Sequence, residues 1–174
     1  MPYLKQPAYL LLGLLLAIVE VGFVCAFPSA LGQISLVAMF LTIWFFLRQK
    51  ETTFALAAGL GIGLGLFSGY DFWVWLVAAL VAAGVGYFLS GTVLTDQSLF
   101  ALVVLNAFIH AALFVGEFVF SNLFAGVGPI KLQLSPGLVM AGVFSLMVET
   151  LLLYLFFLVY RRVRGKKATR LMHI

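Results

Sequence analysis

Four ionisable side chains stand inside stretches otherwise apolar enough to lie in a lipid bilayer: Glu20, His110, Glu117 and Glu149. A charge at the centre of a bilayer costs on the order of 3 kcal/mol on insertion scales, so each group is expected to face protein, water or a partner. Asn106, His110 and Glu117 follow one another at offsets of four and seven residues. At about 100° of rotation per helical residue they share one narrow face. Three chemistries fit such a face. It can line a polar pocket or proton path, or supply structural interhelical hydrogen bonds of about 1 kcal/mol each, with protonated carboxyl groups donating. It can also present an acid to a polar group on a partner's transmembrane helix.

Other chemistries are excluded by type and spacing. One histidine and scattered glutamates lack metal-ligand spacing, and no His-Glu-x-x-His occurs. No serine or histidine stands in a nucleophile-and-base motif, so neither catalytic nor metal residues are expected and the chain reads as a non-enzyme. Nothing points to a cofactor. Cys25 is the sole cysteine, which rules out a disulfide within the chain. The glycine series Gly59, Gly61, Gly63 and Gly65 is no phosphate loop, since no Lys-Ser/Thr follows it.

The elements that must position these residues are membrane helices. Hydrophobic residues make up 64% of the 174 and charged residues 9%, and the mean hydropathy is +1.19. These values place the chain with integral membrane proteins. The apolar runs are long and continuous, unlike the short alternating segments of a transmembrane β-barrel. The fold expected is all-α: a polytopic bundle of six transmembrane helices forming one domain over residues 1–174. The first span is read from about Ala8 to Phe27. It resembles a signal peptide, but Glu20 interrupts its apolar core and no A-x-A-like site follows, so it is expected to be retained. The second covers about Gln33 to Leu47, short enough that its start is expected nearer Pro28. The remaining four are read as Thr52–Ser68, a helix from Phe72 through Gly86, Ser98–Phe120 and Gly137–Tyr160.

The chain is organised around the third span. Ala55, Gly59 and Gly63 recur every four residues, as do Ala57, Gly61, Gly65 and Gly69. Two residues advance a helix by about 200°, so the two strips lie on nearly opposite faces. Small-xxx-small strips let helices approach closely in a bilayer, which predicts close neighbours on both sides. The fourth span offers small residues in return, at Ala78, Ala79, Ala82, Ala83 and Gly86.

Lysines and arginines set the orientation. With six spans and the N-terminus inside, Lys5, Arg48, Lys50 and six tail residues lie inside and only Lys131 outside, so both termini are expected in the cytoplasm. The tail, residues 161–174, carries Arg161, Arg162, Arg164, Lys166, Lys167 and Arg170 directly after an apolar helix. Such a cluster is a topology signal and a contact for anionic lipid, not a nucleic-acid site.

The run Gly59-Leu-Gly-Ile-Gly-Leu-Gly-Leu-Phe-Ser-Gly69, with the helix through Gly84-Val-Gly-Tyr-Phe88, the polar turn before the fifth span and the basic C-terminus, resembles the MreD family of rod-shape-determining membrane proteins. The likeness covers most of the chain in layout and residues 59–88 in motif. That family often carries an acidic residue just before the turn ending the third helix. Gly65 stands there in this chain, and Asp71 lies beyond the turn. The resemblance implies a non-enzymatic scaffold in the bacterial cytoplasmic (inner) membrane, part of the elongation machinery for lateral peptidoglycan synthesis. It would bind an MreC-like single-span protein and wall-synthesis enzymes and, indirectly, an MreB-like filament. The layout is also similar to the substrate-binding subunits of energy-coupling-factor vitamin transporters. An outward pocket of convergent polar groups under an ordered lid, for which residues 121–136 are long enough, would favour that alternative.

Overall fold

The structure is a computed structural model that describes residues 5–24, 35–47, 50–67, 72–92, 98–124 and 136–171. All the elements among these residues are helical: α1 (Lys5–Val19) running into a π-helical turn (Glu20–Val24), α2 (Leu36–Phe46), α3 (Lys50–Phe67), α4 (Phe72–Thr92), α5 (Leu99–Phe124) and α6 (Pro136–Leu171). Four stretches are long and apolar enough to cross a membrane: Lys5–Gly22, Phe72–Gly91, Leu99–Leu123 and Val139–Val163. Leu36–Phe46 and Glu51–Phe67 are shorter apolar helices.

α3 lies between α1 and α4 because its side-chain volume is removed on two faces. A Cβ added at Gly59 would run into the Leu10 carbonyl of α1, and one at Gly63 into the Ala17 methyl. On the other face a Cβ at Gly61 would lie 2.7 Å from Leu76 Cα of α4, and one at Gly65 2.8 Å from Phe72 Cα. α1 answers with Gly13, whose own Cβ would meet the backbone at Leu56. Ala79 and Ala83 are wholly buried, and helical spacing puts them on the α4 face that carries Phe72 and Leu76. Ala78 turns elsewhere, against Gly116 of α5, and Gly86 sits under Phe45 of α2 and Ile109 of α5. The small residues of α4 thus serve α5 and α2 as well as the glycine helix. Gly69 lies outside the described residues.

The main core joins α1 through α5, with Leu41, Phe45, Leu56, Leu60, Leu105 and Ile109 at its centre. α6 stands apart from it. A smaller cluster of Phe46, Leu102 and Leu153 ties it to α2 and α5, and Phe46 meets Tyr160 edge-on with ring centres 5.4 Å apart. Among its described side chains the fully buried ones are Ser145, Glu149 and Leu153, one stripe at four-residue spacing. α6 also continues as helix through Leu171, carrying the segment read from sequence as a basic tail. Arg161 and Arg162 are exposed on it, while the side chains of Arg164, Lys166 and Lys167 lie outside the described set.

Candidate functional site

α2 has 11 residues and is about 16 Å long at 1.5 Å per residue, roughly half the thickness of a hydrocarbon core. It starts at Leu36, later than the second span read from sequence, and residues 25–34 lie outside the described set. The first turn of a helix leaves backbone N–H groups without intrahelical acceptors, and here side chains from three elements accept from them. Ser35 is the N-cap, and its hydroxyl accepts from Ala38 N at 3.2 Å. Glu20, delivered by the π-helical turn, accepts from Val37 N at 3.1 Å. Glu149, on α6, accepts from Ser35 N at 3.0 Å. Carboxyl oxygens at this end also suit the positive pole of the helix dipole.

Glu149 is the hub. It is 0% exposed. Besides Ser35 N, it accepts from Ser145 Oγ at 2.7 Å, one helical turn earlier on α6, and from Asn106 Nδ2 at 3.3 Å on α5. His110 Nδ1 lies 3.1 and 3.0 Å from its two oxygens. Three donors are thus fixed by type, and in the tautomer that carries its proton on Nδ1 His110 is the fourth, which fills the roughly four lone-pair sites of a carboxylate. Asn106 extends the network to α2, where Thr42 Oγ1 lies 3.1 Å from Asn106 Oδ1 and 2.8 Å from the Ala38 carbonyl. The helices α2, α5 and α6 thus meet through six polar residues, each with at least one partner in the network. Among the described residues, the one buried side-chain nitrogen or oxygen without a hydrogen-bond partner is Trp75 Nε1 on α4, outside this network.

Of the intramembrane polar residues picked out by sequence, Asn106, His110 and Glu149 therefore come together. Glu20 joins them through the shared start of α2. Glu117, half-buried on α5, makes no hydrogen bond to a described residue, although it shares the helical face of His110 and Asn106. Sequence reasoning passed over Ser35, Thr42 and Ser145. Two of them left a readable signal: Ser35 precedes an apolar run in the manner of an N-cap, and Ser145 stands four residues before Glu149, on the same face of a helix.

On its far side His110 borders a groove of about 210 Å³ between α5 and α6, lined by Ala107, Ala111, Phe114, Gly142 and Val143 among others. With Nδ1 given to Glu149, the ring offers Nε2. A Cβ on Gly142 would stand 4.0 Å from that nitrogen and 3.4 Å from the Phe114 ring. When Nδ1 donates to Glu149, Nε2 is an acceptor in the neutral ring and a donor in the imidazolium. No other described side chain bonds to it. Among the described residues that line the groove, His110 is the one hydrogen-bonding side chain, and the others are apolar or small. Among the described residues no group of three His, Cys, Asp or Glu could hold a metal ion.

Comparison with family models, with curated proteins and with solved structures returns no match.

Proposed function

We propose that this chain is a non-enzymatic membrane scaffold that binds a single-span partner along α6. The observation that carries the proposal is the exposure of α6. Three residues of one stripe are fully buried, while Met140, Met147, Leu151 and Val159 are each at least 60% exposed. The bundle holds this helix at its edge through a polar hub and leaves the rest of its apolar surface to lipid or to another helix. In a bilayer, helix association rests on packing and interhelical hydrogen bonds, and an edge helix beside a small-residue groove suits both. The apolar runs and the lysine and arginine count supply six spans with both termini inside, and the MreD resemblance supplies the rest of the setting proposed for it: the bacterial cytoplasmic membrane, an MreC-like single-span partner, wall-synthesis enzymes, and an MreB-like filament reached indirectly. The basic end of α6 would then lie against anionic lipid of the inner leaflet.

The alternative is a substrate-binding subunit of an energy-coupling-factor-type transporter. That function calls for polar groups converging on a ligand, and here the converging groups are used up on one another. Among its described lining residues the groove offers one polar side chain. The scaffold reading is therefore preferred. Purification from the native membrane in mild detergent, followed by mass spectrometry of what co-purifies, tests it. A bitopic protein with a large outer domain, together with wall-synthesis enzymes, is the expected result. Paired ATPases with a coupling subunit would replace the scaffold with a transporter.

A further inference from the structure

We infer that the groove between α5 and α6 receives a single transmembrane helix of another protein whose mid-span side chain hydrogen-bonds to His110 Nε2. The inference rests on the scaffold reading and deepens it by giving the docking site and the partner's chemistry. His110 sits near the middle of the Leu99–Leu123 stretch, and if that helix spans a bilayer this is the depth farthest from water and lipid headgroups. A polar atom facing hydrocarbon there lacks a partner, which costs free energy. An acyl chain could fill the groove's volume but would leave Nε2 unsatisfied. A helix bearing a serine, threonine, asparagine, glutamine or carboxylic acid at mid-depth satisfies it. Such a residue can donate to the neutral ring or accept from the imidazolium, so either state of His110 is served.

The groove walls suit a helix for a second, steric reason. Ala107 and Ala111 lie one turn apart on α5 and face Gly142 of α6 across the groove, which lets a third backbone come close. Ala111 and Val143 are exposed at its margin. The space is open: a methyl at Gly142 would make only ordinary contacts, at 3.4 and 3.6 Å to the Phe114 ring. The three atoms nearest to a Cβ at Gly142 are side-chain atoms, two of the Phe114 ring and His110 Nε2, so a larger side chain there would fill the groove in front of that nitrogen.

The test uses the full chain in its native membrane, with a photo-crosslinking amino acid at Ala111 or Val143 and, as a control, at Phe88 on α4. Crosslinks from both groove positions to a single-span protein are expected, with the linked peptide inside its transmembrane segment and a hydrogen-bonding residue at mid-depth. Leucine in place of that partner residue should lower the yield about fivefold, equivalent to one interhelical hydrogen bond of about 1 kcal/mol. Gly142→Leu should lower it at least as far at unchanged protein level and gel-filtration profile, and Gly142→Ala much less. Crosslinks to lipid alone, to a second copy of this chain, to an apolar partner segment, or a yield indifferent to Gly142→Leu would each overturn the inference. A single-span partner captured from Phe88 but not from the groove would remove this site and leave the scaffold reading standing. If no single-span partner is recovered by crosslinking or co-purification, both fail.

Discussion

Glu149 shows how one side chain can fix the place of a helix that is otherwise largely exposed. Removing its carboxyl leaves Ser35 N, Asn106 Nδ2, His110 Nδ1 and Ser145 Oγ without their acceptor, and a buried donor left unpaired costs about 1–3 kcal/mol. Glu149→Leu is therefore expected to destabilise the protein by on the order of 3 kcal/mol, allowing for relaxation among the four. Glu149→Gln keeps one acceptor oxygen and should lose about half as much. Thermal loss of the monodisperse peak in detergent measures both variants, and equal losses would show that acceptor count is not what matters there. Asn106, His110 and Glu149 were legible in the sequence because lipid penalises them. Thr42 was not, since a hydroxyl can return its bond to a backbone carbonyl of its own helix, as Thr42 does to Ala38, and carries little penalty to notice; Ser35 and Ser145 left only local signals, an N-cap position and a four-residue spacing to Glu149.

Among the helices, α3 is set by close approach on two faces. At Gly61 even a methyl would meet the α4 backbone, 2.7 Å from Leu76 Cα, whereas nothing lies within 4 Å of a Cβ at Gly84. Gly61→Leu and Gly63→Leu should therefore reduce folded protein in the membrane severely, by several kcal/mol on the scale of overpacked cores. Ile62→Leu, which conserves volume, and Gly84→Ala should stay near wild type. Fluorescence-detected gel filtration of tagged variants gives the comparison, and equal tolerance at Gly61 and Ile62 would remove α3 from its central role. The four-residue spacing of the glycines was visible in the sequence. The start of α2 was not, because Glu20 and Glu149, which cap it, lie 17 and 114 positions away from the groups they bind.

For the whole molecule, the asymmetry of lysine and arginine predicts both termini on the cytoplasmic side under a six-span topology. Four stretches are long enough to cross by themselves. The two shorter apolar helices, Leu36–Phe46 and Glu51–Phe67, are the elements on which a count of six depends. Phosphatase and fluorescent-protein fusions after Leu47, Thr92 and Ile174 are expected to report the cytoplasm at Leu47 and Ile174. The six-span topology also expects the cytoplasm at Thr92. An outer signal at Ile174 would require an odd number of crossings.

The sequence by itself determined that the elements among the described residues are helices, four of them long and apolar enough to cross a membrane. Uninterrupted apolar length has one inexpensive backbone solution in lipid, and the spacing of small residues is a local property of one helix. It also marked the polar residues whose burial needed an explanation. Tertiary structure alone decided which of them meet. Asn106, His110 and Glu117 share a face of α5, yet only the first two reach Glu149. That choice depends on where α6 crosses α5 and where α2 begins, and both are set by contacts between residues far apart in the chain.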